Sequence, residues 1–199
     1  MNESHKQYHH GNLRTSLIEK GIELVSEYGV RSFSLRKLAF ACNVSHAAPY
    51  NHFKNKEELL HSMQLHITEQ FYDSLQRSVE GCKESYDILE KAGIAYSSFF
   101  IEHPAYFDFL YSRSDIKIDL SLLAKDEENY KPYVFYKNAV LLFLEEVNCP
   151  KQRRNDVLIT LWSFIHGLTS LATMKHVQYD ENWEKKIVDF MKVFRLSFL

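Results

Sequence analysis

The sequence contains few residues that interrupt regular secondary structure. Its 199 residues include only 6 Gly and 4 Pro. Because turns are built mainly from such residues, a β-sandwich with many short strands is disfavoured. Hydrophobic residues make up 45% and charged residues 25% of the chain, the proportions of a soluble globular protein rather than of a disordered or fibrous one. Long helices are the expected building units.

Cysteines and long apolar runs are scarce as well. The three cysteines, Cys42, Cys82 and Cys149, lie far apart and form no CxxC pair, which excludes a zinc finger or ribbon and is typical of reduced thiols in a cytoplasm. No apolar run approaches the roughly 20 residues that span a bilayer. No apolar segment of a secretory signal follows the first charged residues. We therefore expect a cytoplasmic protein that makes no membrane contact.

The net charge of −2 conceals a basic and an acidic part. Residues 1–56 carry 8 Lys or Arg and 4 acidic residues, whereas residues 57–199 carry 16 and 22. Five of the ten histidines also belong to the first part. This distribution indicates that one end of the molecule meets nucleic acid and that the other end does not.

Apolar residues recur at spacings of three and four along the chain, which is the period of amphipathic helices. The first stripe runs from Leu13 to Tyr28, with Asn12 as a suitable N-cap and Gly29 as the αL residue that ends the helix. No alternating run of strand length competes with this pattern. The prediction is an all-α protein of about nine helices.

Two short helices follow, with the dimensions of a helix-turn-helix. Ser34 is the predicted N-cap of the second helix, and Ser45 is the predicted N-cap of a third helix over residues 46–52. Asn43, in the connection between them, tolerates the positive φ that a tight corner requires. Pro49 would be the fourth residue of the third helix, so only one backbone hydrogen bond would be lost.

A longer helix is predicted to begin at Asn55, which forms a capping box with Glu58, and to end near Val79. The acidic stretch before Lys131 is predicted to be a loop with one helical turn. Five more helices are predicted, over about residues 85–102, 105–112, 133–147, 155–175 and 183–198.

The segments SLRKLA (residues 34–39) and VSHAAPYNHFKNKEELL (residues 44–60) resemble the DNA-binding domain of TetR-type transcriptional regulators. The preceding YHHGNLR is similar to the segment before that domain in many of them, so the resemblance covers about residues 8–62. Farther along the chain, WSFIHG (residues 162–167) is similar to the Trp/His-Gly signature of one C-terminal class of the family.

The resemblance implies a homodimer with two domains in each chain. Residues 1–54 would form a three-helix DNA-binding domain, and residues 55–199 would form a larger helical domain for ligand binding and dimerisation. The residues that the resemblance places against DNA are Arg14, Ser34, Arg36, Ser45, His46, Ala47, Ala48, Tyr50, Asn51, His52 and Lys56.

These DNA contacts would have different roles. The first residues of the third helix, His46, Ala47 and Ala48, would face base edges in the major groove, while Tyr50 and Lys56 would contact phosphates. Many family members have a polar or Lys/Gly pair where this chain has two alanines. Sequence readout would therefore depend on methyl contacts with thymine and on DNA shape. The two serines are caps whether or not they also contact DNA.

Seven of the sixteen residues from Tyr96 to Tyr111 are aromatic. Such a cluster either lines a cavity for an apolar or aromatic ligand or fills a core. Trp162 and His166 share a helix face, and the histidine either contacts a ligand or bonds to a neighbouring backbone carbonyl. Gly167, in the middle of that helix, indicates close approach of another helix or of a ligand. The candidate ligand contacts are Phe99, Phe107, Tyr111, Trp162 and His166.

The predicted function is that of a DNA-binding regulator, acting as a repressor that a small apolar or aromatic ligand releases from a palindromic operator. Dimerisation would use the last two helices. One alternative is a DNA-binding protein without an inducer, whose C-terminal domain binds a protein partner. The other is a helical enzyme, but no GxSxG, P-loop, GxGxxG or HExxH motif occurs. No catalytic residue or cofactor is predicted. No metal site is predicted either, since His5 and His9 could ligate a metal together only if their segment were helical.

Overall fold

The computed structural model describes residues 13–196, with side chains up to Val193. The predicted N-cap Asn12 and the pair His5 and His9 lie outside the described residues. Within this range the chain is all-helical and contains no strand, which confirms the predicted fold class. The eight α-helices are α1 (Leu13–Tyr28), α2 (Leu35–Ala41), α3 (Lys56–Ser78), α4 (Ser85–Glu102), α5 (Pro104–Asp108), α6 (Lys131–Glu146), α7 (Arg154–Thr173) and α8 (Trp183–Leu196).

Local hydrogen bonds mark the starts of α2 and α3. The Ser34 side chain accepts the N–H of Lys37 at 3.3 Å, and the Asn55 side chain accepts the N–H of Glu58 at 2.8 Å. Both predicted caps are confirmed. The carboxylate of Glu58 accepts the N–H of Lys54 at 2.7 Å, one residue before the position that a capping box uses.

Two residues with positive φ turn the chain between the first helices. Gly29 has φ 78° and ψ 157°, and Asn43 has φ 53°. The positive φ is confirmed at both positions. Gly29 nevertheless lies outside the predicted αL region, because its extended ψ belongs to a conformation that is almost restricted to glycine.

One hydrophobic core joins α1, at the N-terminal end of the molecule, to the aromatic residues of α4 and α5 and to α8, at the other end. Helix α3 contacts α1, α4 and α6, and its buried residues recur every four positions at Leu59, Met63, Ile67, Phe71 and Leu75. The Phe71 ring lies 4.7 Å from that of Phe100 and 5.3 Å from that of Phe99, measured between centroids. The same cluster includes Leu17 of α1 and Met191 of α8. This core is continuous across residue 54, and the division into two domains stays a prediction.

A second, smaller core lies around α6 and α7. It consists of Leu89, Tyr130, Tyr133, Val140, Phe143, Leu144, Leu158 and Leu161. The buried Lys137 of α6 donates to the carboxylate of Asp126 and, at 3.3 Å, to the carbonyl of Ala124. Asp126 begins a 3-10 turn, Asp126–Glu128, which is the predicted helical turn of the acidic loop. This buried lysine ties the loop to α6.

Helix α5 continues directly into a π-turn over Phe109–Arg113. The turn is closed by a hydrogen bond of 2.8 Å from the N–H of Ser114 to the carbonyl of Phe109. The sequence predicts an ordinary α-helix over residues 105–112, in which each hydrogen bond joins residues four positions apart. In the π-turn the bond joins residues five positions apart. Such π-turns occur frequently at functional sites. No helix in the described part of the chain is long and apolar enough to cross a membrane.

Candidate nucleic-acid interface and ligand pocket

The segment predicted as a third α-helix, residues 46–52, is a turn that ends in a 3-10 helix over Pro49–Asn51. The N–H groups of Ala48 and Tyr50 donate to the carbonyls three residues earlier, at 3.0 and 3.1 Å. The α-helical prediction is wrong because Pro49 has no N–H and its ring crowds the carbonyl four residues back. The described residues therefore contain eight α-helices instead of the nine expected.

The predicted DNA contacts on this turn lie at the surface. The 3-10 helix has Ala48 as its N-cap residue, so Ser45 does not occupy the N-cap position that was predicted for it. The phenol ring of Tyr50 is 57% exposed. The exposed candidates are Arg36, Ser45, His46, Ala47, Tyr50 and Asn51, and the half-buried ones are Ser34, Ala48 and His52. These side chains belong to α2 and the turn that follows it.

The two remaining candidates fasten this end of the molecule together. The Lys56 ammonium donates to the carbonyl of Val30 at 2.5 Å and lies 6.0 Å from the centre of the Phe33 ring. The guanidinium of Arg14 lies 5.2 Å from the centre of the Phe53 ring. Arg14 also donates to the hydroxyl of Ser62 on α3 at 3.2 Å. Both cations therefore hold the start of α3 against the preceding elements.

In the aromatic segment, most rings pack against one another. The side chains of Phe99 and Phe107 are each 8% exposed and belong to the main core. The ring of Phe100 lies 5.1 Å from that of Phe99 and 5.3 Å from that of Phe107. Edge-to-face and tilted contacts of this kind stabilise a packed core. Of the two readings left open by the sequence, the filled core describes Phe99 and Phe107.

Three of the five predicted ligand contacts, Tyr111, Trp162 and His166, line one pocket of about 250 Å³. One wall is a single face of α7, because its residues are spaced by three and four. The other wall is the π-turn and the loop after it. We call this cavity the Tyr111 pocket, and its lining consists of Tyr111, Ile118, Leu120, Ile159, Trp162, Ser163 and His166.

His166 is held from inside the molecule. Its Nδ1 atom lies 2.8 Å from the hydroxyl of Tyr96, rather than near a backbone carbonyl. Its ring centroid lies 4.7 Å from that of Tyr111 and 5.1 Å from that of Phe107. Burial lowers the pKa of His166 and raises the pKa of Tyr96. Both groups are therefore uncharged at neutral pH.

Several buried tyrosine hydroxyls near this histidine have no partner of acceptable hydrogen-bond geometry. They belong to Tyr111, Tyr130 and Tyr133. The hydroxyl of Tyr111 interacts electrostatically with those of Tyr96 and Tyr130, and burial raises its pKa well above the usual range. An unpartnered buried hydroxyl costs about 1–3 kcal/mol. This part of the interior therefore carries polar groups that its own side chains do not satisfy.

A second cavity lies deeper, among α3, α4, α6, α7 and α8. Its lining includes Phe71, Tyr96, Trp162 and Met191. Its volume is about 50 Å³, one fifth of the volume of the Tyr111 pocket. Trp162 therefore separates a nearly filled core from the larger Tyr111 pocket.

A polar junction between the two ends of the molecule was not predicted from the sequence. The carboxylate of Glu19 on α1 accepts the Tyr106 hydroxyl at 2.6 Å. Its other oxygen lies 2.6 Å from Nε2 of His66 on α3. The ring of His103 stacks on Tyr106, with centroids 4.8 Å apart. The aromatic segment is thus joined to the first helix, although these residues are 87 positions apart and no local pattern signals their contact.

Residues 17–63 match the family described as bacterial regulatory proteins of the tetR family. This segment is therefore similar to the domain that the tetR family shares. The tetR-family match includes α2, the 3-10 turn and the first residues of α3, so it contains every predicted DNA contact except Arg14. A comparison with curated protein sequences gives no match.

Solved structures of TetR-family regulators share the fold of nearly the whole chain. A tetR-family regulatory protein from Rhodococcus RHA1 has a TM-score of 0.70 at 12% identity, covering 90% of this chain and 93% of that chain. PfmR from Thermus thermophilus has a TM-score of 0.65 at 17% identity, covering 89% of this chain and 95% of that chain. The fatty acid degradation regulator FadR from Bacillus halodurans has a TM-score of 0.68 at 16% identity, covering 96% of this chain and 97% of that chain. The chain thus has the fold of these regulators, and its residues 17–63 are similar to the tetR family.

Within residues 13–196, no three His, Cys, Asp or Glu side chains are grouped closely enough to hold a metal ion. Cys42, Cys82 and Cys149 are free thiols. TetR-family transcription regulators are generally not enzymes.

Proposed function

We propose that this protein is a cytoplasmic, homodimeric transcriptional regulator that represses from a palindromic operator and leaves it when a small apolar or aromatic ligand binds. The observation that carries the proposal is that the tetR-family match coincides with a surface on which α2 and the turn after it bear exposed basic and polar side chains. The acidic remainder of the chain supports DNA contact at this end alone. No enzymatic activity is proposed.

For DNA recognition, we propose that the 3-10 turn enters the major groove. His46 and Ala47 are exposed at its start and would meet base edges, as in helix-turn-helix proteins. Arg36 and Tyr50, both exposed, would contact the backbone phosphates on either side. Lys56 would have two of its three N–H groups left for a phosphate, since one donates to Val30.

The dimer is proposed to form through α7 and α8. Gly167 of α7 has nothing within 4 Å of the position that a Cβ atom would occupy, so close packing inside one subunit does not explain this glycine. Leu171 of α7 is 45% exposed, and Met174, the first residue after the end of α7, is 52% exposed. A partner helix lying over this face would bury these side chains and use the space at the glycine. The Trp/His-Gly signature around this residue stays a prediction.

We propose that ligand binding is communicated through Tyr106. This residue lies in the aromatic segment, five positions before Tyr111 of the pocket, and its hydroxyl donates to Glu19 of α1. A ligand that moves the π-turn would alter this bond and, with it, the position of the DNA-reading end. It can do so only if it binds the two arrangements with different affinities.

The central test measures DNA affinity as a function of salt. Fragments retained from random duplex DNA supply the operator, and its log K should fall linearly with log salt concentration. Arg36→Ala should weaken binding and reduce the slope by about 0.9, the value of one phosphate contact. Arg77→Ala is the matched control, because Arg77 is also exposed and lies at the far end of α3. No binding at low salt, or equal slopes for both variants, would contradict the proposal.

The alternative without an inducer has one observation in its favour, the nearly filled core of about 50 Å³ beneath Trp162. In that case the C-terminal helices would bind a protein partner, and DNA affinity would not respond to any small molecule. The larger Tyr111 pocket favours the ligand-responsive regulator. A screen of small molecules against operator binding by the purified protein separates the two functions.

A further inference from the structure

The Tyr111 pocket has aromatic walls and no ionised group among its lining residues. Trp162, Tyr111 and His166 supply three rings, and the remaining lining side chains are Ile118, Leu120, Ile159 and Ser163. With no lysine, arginine or acid in this lining, a charged ligand would lose its hydration without gaining a counter-ion. The pocket therefore fits a flat and uncharged molecule. Its volume of about 250 Å³ lies just below the usual range of ligand sites, about 300–1,000 Å³, so the ligand should be small.

Two of the lining residues, His166 and Trp162, have ring nitrogens that can form hydrogen bonds with a ligand. Nδ1 of His166 is paired with the Tyr96 hydroxyl at 2.8 Å, and its Nε2 has no partner among the described residues. A phenol is a strong donor and an imidazole nitrogen is a strong acceptor, so we infer that the Tyr96 hydroxyl donates to Nδ1. In a neutral ring the proton then lies on Nε2. The pocket thus contains a fixed N–H donor without an acceptor.

We propose that the Tyr111 pocket binds a small, uncharged aryl carbonyl compound, whose carbonyl oxygen accepts the Nε2–H of His166 while its ring packs against Trp162 and Tyr111. Tyr96 is a positioning residue, because it acts on the ligand only by fixing the tautomer of the histidine. This inference names the chemical class of the effector and rests on the proposed regulator function for its physiological meaning. The binding itself can be measured without DNA.

Three probe molecules of similar size separate the contributions that the aromatic ring, the carbonyl acceptor and a negative charge make to binding affinity. Acetophenone has the ring and the acceptor, ethylbenzene has the ring without the acceptor, and benzoate has the ring with a negative charge. Titration of the full chain at pH 7.5 by calorimetry should give the tightest binding for acetophenone. We expect ethylbenzene to bind about tenfold more weakly, because the histidine N–H then loses its partner. Benzoate should bind more weakly than either.

Two variants connect this ranking to the residues. His166→Phe keeps an aromatic ring but removes the donor, so acetophenone should lose about tenfold in affinity and ethylbenzene should not change. Tyr133→Phe is the control, because Tyr133 also has a buried, unpartnered hydroxyl but does not line the pocket. Nitrogen-15 spectra of the histidines should assign the proton of His166 to Nε2 and should show a shift when acetophenone binds. Tyr96→Phe should mix the tautomers.

The outcomes distinguish this inference from the regulator function. Absence of acetophenone binding at millimolar concentration, tighter binding of benzoate, or an unchanged ranking in His166→Phe would overturn the inference. A proton on Nδ1 in the wild-type protein would overturn it as well. If acetophenone binds as expected but the protein never binds DNA, the ligand class stands and the regulator function fails. Thermal unfolding of each variant shows whether the fold is retained.

Discussion

The N-terminal end and the pocket end of the molecule treat their polar groups in opposite ways. At the N-terminal end, caps and cations are paired at short range, as in the bond from Lys56 to Val30. At the pocket end, the hydroxyls of Tyr111, Tyr130 and Tyr133 are buried and make no hydrogen bond of acceptable geometry, although that of Tyr111 interacts electrostatically with those of Tyr96 and Tyr130. The first arrangement holds one shape, whereas the second retains unused hydrogen-bonding capacity. In the proposed function, this difference would give a rigid DNA-binding surface and a pocket that responds to its ligand.

The largest expected effect tests whether the two ends are one folding unit. Phe100 is fully buried and lies 4.7 Å from Phe71 and 5.3 Å from Phe107, between ring centroids. Phe100→Ala should lower the free energy of unfolding by about 3–5 kcal/mol. Because the core is continuous, urea unfolding followed by circular dichroism should remain a single transition. Phe40→Ala, at a side chain that is 84% exposed, should change stability by less than about 0.5 kcal/mol. Two separate transitions would contradict the shared core.

A smaller effect is expected at the junction between the ends. Glu19→Gln weakens an acceptor shared by Tyr106 and His66, so stability should fall by about 1–2 kcal/mol. A double-mutant cycle with Tyr106→Phe should give a coupling energy of about 1 kcal/mol. The surface pair Lys20 and Glu23, whose side chains are 41% and 61% exposed, should give a coupling near zero in the same experiment. Equal coupling in both pairs would remove the special role of the junction.

The dimer surface gives a prediction with two opposite signs. Gly167→Ala has room for its methyl group within one subunit, so the helix itself should gain about 0.5–1 kcal/mol. If a partner helix packs at this position, the same methyl group should weaken association. Sedimentation equilibrium should therefore show a larger dissociation constant, while the separated subunit is at least as stable. An unchanged dissociation constant would place the interface elsewhere.

The smallest effect concerns pH. Burial lowers the pKa of His166, so the unfolded chain, with its usual histidine pKa of about 6.5, binds the proton more readily than the folded chain. The stability contributed by the neutral ring is present above that value and is lost as the pH falls toward 5. His166→Gln should flatten the dependence of unfolding free energy on pH between 8 and 5. Identical slopes in the variant and the parent protein would contradict this pKa shift.

The same contrast explains what the sequence could predict. The caps at Ser34 and Asn55 and the positive φ of Asn43 depend on neighbours within a few residues, so local patterns predicted them. The third helix was predicted wrongly because the pattern of caps and spacing does not distinguish α-helical from 3-10 hydrogen bonding in a segment this short. The π-turn and the junction of Glu19 with Tyr106 depend on packing between distant segments. No spacing rule reports such contacts.

The pocket was predicted in part. Trp162 and His166 were found because helical spacing placed them on one face, and both line the cavity. The aromatic density from Tyr96 to Tyr111 indicated the right segment but did not distinguish rings that fill the core from rings that line the pocket. That distinction depends on the direction of each side chain. The extra residue of the π-turn changes this direction from Phe109 onward.

Helix α3 gives the contrast between the two ends a mechanical meaning. Its 23 residues form a rod of about 34 Å at 1.5 Å per residue, with the turn proposed to read DNA just before its start and the aromatic core along its length. A tilt of about 5° would displace one end of such a rod by about 3 Å relative to the other. That displacement is close to the rise of one DNA base pair, about 3.4 Å. An angular change far too small to disrupt the core is therefore sufficient to put a reading surface out of register with its groove.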